Sequence, residues 1–413
     1  MTPSISIVVV SYNSAGHLGD CLRALTQLRF AGEVEILVVD NASRDTSRGI
    51  AGGFAGVRVI PEDENRGFAG GVNRGTAAAR APIVALINPD ATPRPDWLQQ
   101  VAAPLDDPRV GVVGSKVLGP DGRIQSVGST LQEPALLTAH RGASERDAGQ
   151  YDAPADVWAV HGAAMAFRRQ VWEQLGGFDE GFFPAYWEES DFCERARRAG
   201  QRVVVAPGAV VRHEEAVATG KYSAEFYYYY HRNRLRYAAK WLGWPALWES
   251  FRPAERARLQ AAPPLDRRVA RVVYEAGVPP LDLPSAQQRA AVLATGHALR
   301  DGALPDDGFA PLARLLDEAA ANAVIEEVRF RSRLPLVARL RTAWNDVATR
   351  WYVRPSFDQQ TRFNLAAQRA LAALAEQSTA RAAADALDVA LLAWRVAQLA
   401  RLEHEFGTTD EHR

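Results

Sequence analysis

The sequence predicts an α/β fold, in which an open, mainly parallel sheet with helices on both faces is followed by an α-helical C-terminal domain. Up to about residue 128, short β-branched runs alternate with helical patterns, which is the rhythm of βαβ units. The predicted strands are apolar almost without interruption, as in sheets covered on both faces. Beyond residue 244, prolines punctuate helical patterns. A chain of 413 residues, 47% of them hydrophobic, can bury two cores of ordinary size.

The first half of the α/β region carries five predicted strands and three predicted helices. The strands cover residues 5–10, 35–39, 57–60, 83–87 and 110–113. The first helix starts at Ser14, which precedes leucines at helical spacing, and the other two cover residues 43–50 and 71–79. Ligands of open parallel sheets bind beyond the carboxyl ends of the strands. We therefore look for a site at those ends.

The second half begins with a segment that carries little periodicity. Residues 133–151 are rich in Ala, Arg and Gly, which predicts a mobile loop. The α/β pattern resumes at Val157, with predicted helices over 168–175 and 191–199 and a predicted strand over 202–205.

Three regions follow from the changes in pattern. We predict an α/β domain over residues 1–242, a Pro-punctuated helical linker region over 243–342 and an α-helical C-terminal region over 343–413. In the last region one apolar helix face is made by Leu387, Leu391 and Trp394, with Leu392, Val396 and Leu399 beside it.

Composition and charge exclude several classes of protein. The 48 basic and 49 acidic residues give a formal charge of -1, so nothing global favours nucleic acid. The two cysteines, Cys21 and Cys193, lie in separate helical patterns and argue against a disulfide framework. We see neither a signal peptide nor a membrane-spanning apolar run. We expect a cytoplasmic protein, with at most peripheral contact at the inner face of the cell membrane.

Polar clusters follow the first two predicted strands. Ser11, Tyr12 and Asn13 end the first strand, and Asp40, Asn41 and Ser43 end the second. A carboxylate at position 40 can accept a hydrogen bond from the ring N–H of uracil, thymine or guanine, and an aromatic ring at position 12 can stack beneath the base. The alternative is that these clusters only cap the helices that follow.

A glycine-rich turn precedes the third helix. It contains Asn65, Gly67, Phe68, Ala69 and Asn73. Such a turn lets backbone N–H groups approach a phosphate at a helix N-terminus. Its glycine spacing is not that of a dinucleotide-binding fingerprint.

The fourth strand is followed by Asn88-Pro-Asp90, a carboxamide and a carboxylate two residues apart. Magnesium commonly uses one or two protein carboxylates together with phosphates and waters, which this pair can satisfy. An ordinary Asn-Pro-Asp turn is the alternative.

An acidic run opens the helix near residue 190. Glu188, Glu189 and Asp191 stand where acidic residues often serve only as partners of the helix dipole. Their mutual repulsion would raise one pKa, as suits a base that accepts a hydroxyl proton. His213, at a later strand end, is either structural or a ligand for a metal or diphosphate.

These segments, in this order, resemble the glycosyltransferase family 2 proteins with the GT-A fold, above all their rhamnosyltransferase-like branch. The resemblance covers residues 4 to about 242. It implies that Asp40 holds the nucleotide base, that residues 65–73 lie on the donor side, and that Asn88 and Asp90 take the place of the family's metal motif. His213 would be a further ligand of the divalent metal, Mg²⁺ or Mn²⁺.

The resemblance also implies an acceptor side and a base. His161, Gly162 and Trp187 would lie beside the acceptor, and Glu189 stands where the family usually has an aspartate base, with Glu188 and Asp191 as rivals. The implied reaction is an inverting transfer of the hexosyltransferase type. The donor would be a dTDP-, UDP- or GDP-sugar, dTDP-rhamnose among them, and the acceptor a cell-surface glycan or lipid-linked sugar.

Other readings of the chain stay open. A sugar nucleotidyltransferase would carry a glycine-rich phosphate loop near residues 11–20, where this sequence has none. Because position 189 holds a glutamate where the family usually has an aspartate, a catalytically inactive glycan-binding or scaffold protein on the same fold is a further alternative. The C-terminal helices are expected to pack within the chain, or to dock a second copy or another glycan-synthesis enzyme.

Overall fold

The computed structural model describes residues 4–214, 222–278, 295 and 354–407. The strands are β1 (Ile5–Ser11), β2 (Val34–Asp40), β3 (Val57–Pro61), β4 (Ile83–Ile87), β5 (Ala91–Pro93), β6 (Val110–Leu118), β7 (Ile124–Ser126), β8 (Ser129–Gln132), β9 (Leu137–His140), β10 (Ala155–Asp156), β11 (Ala164–Arg168) and β12 (Arg202–His213).

The helices alternate with these strands and then continue alone. They are α1 (Leu18–Thr26), α2 (Ser47–Gly52), α3 (Gly67–Ala78), α4 (Trp97–Ala102), α5 (Arg169–Leu175), α6 (Glu188–Arg198), α7 (Ala224–Trp241), α8 (Trp244–Ala246), α9 (Arg252–Ala261), α10 (Pro264–Glu275) and α11 (Arg354–Gly407). A π-helical turn, Leu247–Phe251, joins α8 to α9.

The sheet confirms the predicted fold class. Its strand order is β10-β12-β6-β11-β4-β1-β2-β3, with β5 beside β12 and β7 beside β6. Strands β4, β1, β2 and β3 are parallel to one another, and β11 runs antiparallel to β4 and β6. Apolar side chains from both faces enter two cores, one on each side of the sheet. The carboxyl ends of β1, β2 and β4 therefore share one edge with the start of β11.

Two glycines let α3 pack directly on the sheet. A Cβ at Gly71 would lie 2.5 Å from a methyl group of Val10, and one at Gly75 would lie 2.3 Å from a methyl group of Val8. Because real side chains do not approach so closely, these positions bring the helix axis near β1. The glycine-rich segment is thus partly a packing device.

The predicted loop over residues 133–151 consists mostly of turns and irregular backbone, but it contains one strand, Leu137–His140. Strands β8 and β9 form a hairpin through this stretch, paired from Ser129 with His140 to Gln132 with Leu137. Beyond it, the buried Lys116 amine pairs with Asp147 at 2.9 Å. The hairpin gave no alternating pattern because most of its residues are only half-buried or exposed.

Strand β12 is also longer than the predicted strand over 202–205. It continues to His213 through a shift in register between Ala206 and Val210. Pro207 and Gly208, which interrupt the apolar pattern, lie within that irregularity. A bulge of this kind carries the strand past two residues that ordinarily end one.

The C-terminal region is helical where the structure describes it. Leu387 and Leu391 of α11 are fully buried in a third core that also contains residues of α7, α9 and α10. The neighbouring Leu392, Val396 and Leu399 are 47%, 65% and 45% exposed. The predicted face of Leu387, Leu391 and Trp394 is therefore the packed one. Most of the predicted linker region falls outside the described residues, and the region boundaries stay predictions. Within the described ranges, no helix combines the length and hydrophobicity that a membrane span requires.

Candidate active site

The ends of β1 and β2 present two polar groups that lack partners. Ser11 pairs in register with Asp40, and both side chains are buried, Asp40 being 3% exposed. Among the described residues, neither Ser11 Oγ nor Asp40 Oδ1 has a hydrogen-bond partner. Buried polar atoms are ordinarily paired, so an orphaned carboxylate oxygen at a strand end is suited to a donor on a ligand.

The loops that follow β1 and β2 are hydrogen-bonded to each other. The Asn13 N–H donates to Ser43 Oγ at 3.1 Å, and Asn13 Oδ1 accepts from the Arg44 N–H at 2.8 Å. Helices α1 and α2 begin only at Leu18 and Ser47, and neither has a side-chain hydrogen bond at its N-cap. The capping interpretation of Asn13 and Ser43 is therefore wrong. Tyr12, between the two loops, is half-buried.

The glycine turn does not offer the phosphate cradle that we predicted. The Gly67 N–H donates to Asn65 Oδ1 at 2.8 Å, the Arg66 N–H to Asn41 Oδ1 at 2.9 Å, and the Phe68 N–H to the Pro184 carbonyl at 2.7 Å. These three backbone donors are used inside the protein. Asn41 Nδ2 also donates to the Gly67 carbonyl at 3.0 Å, so the turn is fixed against the end of β2.

Other residues of the predicted donor segment face inward. Asn73 Nδ2 donates to the Phe178 carbonyl at 2.9 Å, and Asn73 Oδ1 accepts from Trp172 Nε1 at 3.0 Å. Ala69 is buried, and Phe68 packs against the sheet core. Asn73 therefore holds the loop before the acidic run rather than facing a ligand.

Asp90 and His213 meet beyond the end of β4. Register between β5 and β12 pairs His213 with Ala91, and His213 Nε2 lies 3.4 Å from Asp90 Oδ1. Burial alone would raise the pKa of Asp90, but the hydrogen bond and charge of His213 outweigh it and lower that pKa. Asn88 is half-exposed beside them, and its backbone N–H donates to the Ala163 carbonyl at 2.9 Å.

Gln125 orients the His213 ring, a role that no sequence pattern indicated. Gln125 Nε2 donates to the His213 carbonyl at 2.8 Å, which turns Gln125 Oε1 toward His213 Nδ1 at 3.0 Å. An amide oxygen only accepts, so Nδ1 carries a proton, and Nε2 is the ring nitrogen that faces Asp90. Such outer partners typically fix metal-binding histidines.

These residues fit a cation that is shared with a ligand. Across the part of the chain that the structure describes, no cluster of three or more His, Cys, Asp or Glu side chains is arranged to hold a metal by itself. One carboxylate, one carboxamide and one imidazole make an incomplete shell, as is usual where phosphate oxygens and water supply the remainder.

The acidic run at the start of α6 lies next to the segment that precedes β11. A Cβ at Gly162 would lie 3.5 Å from Glu189 Cγ, so the two residues are in contact. The preceding His161 ring lies 5.5 Å from the His213 ring and 5.1 Å from the His140 ring, measured between centroids. His140, which belongs to the hairpin, was not identified from the sequence. Glu189 is thus linked to the pair of His213 and Asp90 through Gly162 and His161.

The two glutamates at the start of α6 differ in exposure. Glu189 is half-buried, and its Oε1 accepts from Ser190 Oγ at 3.3 Å. Burial raises the pKa of Glu189, and burial together with the charge of Glu189 raises that of Glu188 well above its usual range. Glu188 is 5% exposed, and within the described residues its Oε2 has no partner. Glu189 is therefore the more accessible of the two carboxyl groups.

Asp191 is occupied by structural contacts, which counts against its place among the base candidates. Its side chain is fully buried. Asp191 Oδ2 accepts from Arg195 Nε at 2.8 Å, while Oδ1 accepts from Trp241 Nε1 at 2.9 Å and pairs with Lys240 Nζ at 2.8 Å. Both carboxylate oxygens are saturated and far from solvent.

Asn233 of α7 pins the loop that leads into the acidic run. Its Nδ2 donates to the carbonyl oxygens of Phe182, Ala185 and Tyr186, at 2.7, 2.8 and 3.0 Å. Tyr186 and Trp187 both have φ of 77°, a left-handed conformation that costs energy in residues other than glycine. Trp187, predicted at the acceptor side, is buried against Tyr237.

The family of the chain is shown by its relatives in sequence. Residues 6–176 match the model of glycosyl transferase family 2. The chain is 30% identical over 277 residues to N-acetylglucosaminyl-diphospho-decaprenol L-rhamnosyltransferase of Mycobacterium tuberculosis, in a match covering 59% of this chain and 87% of that protein. It is 28% identical over 229 residues to the uncharacterized protein y4gI of Sinorhizobium fredii, of which it spans only 25%.

A solved structure is also similar. The mannosyltransferase PcManGT from Pyrobaculum calidifontis, in complex with GDP-Man and Mn²⁺, matches with a TM-score of 0.44 and 20% identity over 89% of this chain and 86% of that one. The family model and the mycobacterial relative, taken with the strand-end residues described above, show that the chain belongs to glycosyl transferase family 2, in its rhamnosyltransferase-like branch.

Proposed function

We propose that the protein is an inverting glycosyltransferase that moves a sugar from a nucleoside diphosphate donor to a hydroxyl of a cell-surface glycan or lipid-linked acceptor. One observation carries the proposal, namely that Asp40 and Asp90 lie at the carboxyl ends of parallel strands of one sheet, with His213 beside Asp90 and Glu189 beside the segment that precedes β11. The nucleotide base would bind at Asp40, the diphosphate and its cation at Asp90 with His213, and the acceptor hydroxyl at Glu189.

The nucleotide base would bind at Asp40. A uracil, thymine or guanine ring N–H directed at the orphaned Oδ1 would satisfy a buried acceptor that is otherwise unpaired. Tyr12 is accessible enough to contact the ring. The donor is therefore a dTDP-, UDP- or GDP-sugar, and the mycobacterial relative named as a rhamnosyltransferase supports dTDP-rhamnose.

The diphosphate would lie at Asp90. Asp90, Asn88 and His213 would hold the divalent metal, Mg²⁺ or Mn²⁺, which when bound offsets negative charge on the leaving diphosphate. Asp90 stays ionised because its pKa is lowered, and Gln125 keeps Nε2 of His213 directed at the same place. These features support a donor site that binds nucleotide and cation together.

The base in the reaction would be Glu189, with Glu188 behind it as the rival. Glu189 removes the proton of the acceptor hydroxyl, whose oxygen then attacks C1 of the donor sugar from the face opposite the leaving diphosphate. One displacement inverts the anomeric centre, and no covalent enzyme intermediate forms. A raised pKa suits a carboxylate that must hold this proton until the product leaves.

The acceptor side is proposed around His161, Gly162 and the Trp187 loop. The mycobacterial relative is named for an acceptor sugar on a polyprenyl diphosphate, which supports a lipid-linked acceptor here. A cytoplasmic location with peripheral contact at the membrane is consistent with that class of acceptor. The exposed apolar side chains of α11 support docking of a second copy or of another glycan-synthesis enzyme.

Donor binding can be tested by thermal unfolding with dTDP-, UDP- and GDP-sugars, with and without MgCl₂ or MnCl₂. A ligand at 100 times its Kd stabilises the folded state by about 2.7 kcal/mol. We expect one base to raise the Tm only with divalent metal, and the Asp90→Asn variant to lose that effect. Asp20→Asn, at an exposed position of α1, is the matched control. A shift that survives both chelator and Asp90→Asn would refute the metal site.

Turnover separates an enzyme from an inactive binding protein. We expect slow, metal-dependent release of nucleoside diphosphate by the wild-type protein, and loss of transfer in Glu189→Gln with nucleotide binding intact. Binding of donor without any release, under conditions in which acceptor lipids are supplied, would favour the inactive glycan-binding or scaffold protein.

A further inference from the structure

A second cavity lies apart from the strand-end site. It encloses about 460 Å³ between the β8–β9 hairpin, the end of α6 and the end of α7. Small-molecule sites typically measure roughly 300–1,000 Å³. Trp158 lines the cavity, and its ring lies 6.3 Å, between centroids, from the ring of Trp187, which precedes Glu188 at the start of α6.

Aromatic faces make much of its wall. Trp158 meets Tyr237 edge to face with centroids 6.0 Å apart, and Tyr237 lies 6.3 Å from Trp241. Leu131 and Leu136 of the hairpin face them. Rigid rings with one polar tip present apolar area at little entropic cost and still offer hydrogen bonds at the edge.

The charged groups of the wall are two carboxylates, Glu133 and Glu194, and two guanidinium groups, Arg197 and Arg198, so their formal charges balance. Glu194 pairs with both Arg197 and Arg198, the second at 2.7 Å from Arg198 Nε to Glu194 Oε1. Each guanidinium also stacks over a ring, Arg197 over Trp158 at 5.7 Å and Arg198 over Trp241 at 4.4 Å. The cavity is therefore polar without a strong net charge.

This combination selects a class of ligand. A phosphate would find its cations already paired, and an acyl chain would leave Glu194 and the two arginines facing apolar surface. A pyranose ring has an apolar face for the aromatic wall and hydroxyl groups that can pair with carboxylate and guanidinium edges. The composition of the wall favours a neutral sugar.

We propose that this cavity binds a pyranose of the acceptor glycan, at a distance from the hydroxyl that is glycosylated. The hairpin connects the two places, because His140 at its base contacts His161 while the cavity lining runs from Thr130, one register position from His140, to Leu136 at the turn. At 3.3–3.4 Å per residue, the hairpin from its base to its turn spans on the order of 10 Å. The assignment to the acceptor rests on the proposed transfer function, whereas binding of a sugar does not.

The test fills the cavity without touching the strand-end site. Thr130→Trp places a large side chain on the exposed lining position, and Gln132→Trp places the same side chain two residues along the same strand, outside the lining. Arg198→Ala removes one polar wall group, with Arg23→Ala on α1 as control. Circular dichroism and Tm establish that each variant is folded.

The probes are three neutral sugars measured by saturation-transfer NMR without nucleotide or metal: methyl α-L-rhamnopyranoside, methyl β-D-galactopyranoside and methyl N-acetyl-β-D-glucosaminide. We expect at least one to bind wild type and both controls with a Kd near 1 mM, equivalent to about 4 kcal/mol. Thr130→Trp should weaken binding tenfold or more, and Arg198→Ala should weaken it measurably.

Three results would overturn the proposal: no saturable binding of any probe to the wild type, equal binding to all variants, or tighter binding of glucose 6-phosphate than of the neutral sugars. Because the assay contains no donor, its failure would leave the metal-dependent nucleotide site standing. Conversely, loss of the nucleotide site would leave sugar binding in this cavity intact.

Discussion

Asn233 holds the loop that leads to Glu189, the proposed catalytic base. Replacing Asn233 by aspartate should release that loop. The side chain is fully buried, and its single amide nitrogen serves the carbonyl oxygens of Phe182, Ala185 and Tyr186 at 2.7–3.0 Å. Aspartate has nearly the same shape but presents an oxygen where the amide group stood. The change therefore removes donors without creating a cavity.

The magnitude follows from the number of acceptors left unpaired. A carboxamide carries two N–H groups, so two of the three carbonyl oxygens lose a full bond, at roughly 1–3 kcal/mol each. We expect the free energy of unfolding to fall by about 2–6 kcal/mol. The left-handed Tyr186 and Trp187 persist only while their surroundings hold them, so the loop should relax as well. A displacement of about 1 Å in a positioned group can cost a hundredfold in rate.

Urea denaturation and steady-state transfer kinetics measure the two effects. Asn233→Asp should lower both the stability and kcat, with the donor KM little changed because Asp40 and Asp90 lie on other elements. Asn364→Asp, at a partly exposed position of α11, is the isosteric control and should behave as wild type. An Asn233→Asp protein with stability within 1 kcal/mol of wild type and normal kcat would refute the pinning role.

Three further predictions concern packing, acid stability and the base. Gly75→Ala should destabilise by about 1–3 kcal/mol in urea denaturation because its Cβ would clash with the β1 core, whereas Gly49→Ala, with open space around it, should be neutral or stabilising. Burial and neighbouring guanidinium groups lower the pKa of His231 to about 4, so the unfolded state takes up its proton first. Stability should therefore fall, on the order of 3 kcal/mol, as the pH drops from about 6.5 to 4, and a smaller fall over the same pH range in the His231→Gln variant checks the assignment. Glu189→Gln should lower kcat roughly 10²–10⁴-fold and abolish a rate that rises with pH through a raised pKa, whereas Glu188→Gln should keep that rise.

The sheet was predictable because its central strands are buried on both faces. Residues 83–87 were predicted as a strand and are β4 with the same ends, since both faces of that segment meet apolar cores. The hairpin of β8 and β9 was missed for the opposite reason, because its residues are only half covered and carry no alternation. Apolar periodicity reports burial, and elements that lie on the rim of the site escape it.

The site was predictable to the extent that its groups follow strands directly. Asp40 and Asp90 end or follow strands whose neighbours in the sheet are fixed by topology, so their shared edge could be inferred. The glycine turn was misjudged because its backbone donors are used by Asn41 and by the Pro184 carbonyl, the latter more than 100 residues away. Sequence spacing reveals which backbone groups a turn presents, but not which long-range acceptors have taken them.

The asparagines of the sequence motifs hold loops together, whereas the carboxylates are the groups proposed to bind ligands. Asn41, Asn73 and Asn233 each lie where loops from different parts of the chain must be joined, and an amide can bind their N–H and carbonyl groups at once. A carboxylate only accepts when ionised and could not perform this task. Conversely, a cation, the ring N–H of a nucleotide base and a hydroxyl proton all bind to oxygen lone pairs, and the residues proposed for these roles, Asp40, Asp90 and Glu189, are carboxylates. The kind of polar group at each position, rather than its place in a motif, therefore distinguishes the residues that hold the loops together from those proposed to bind the substrate.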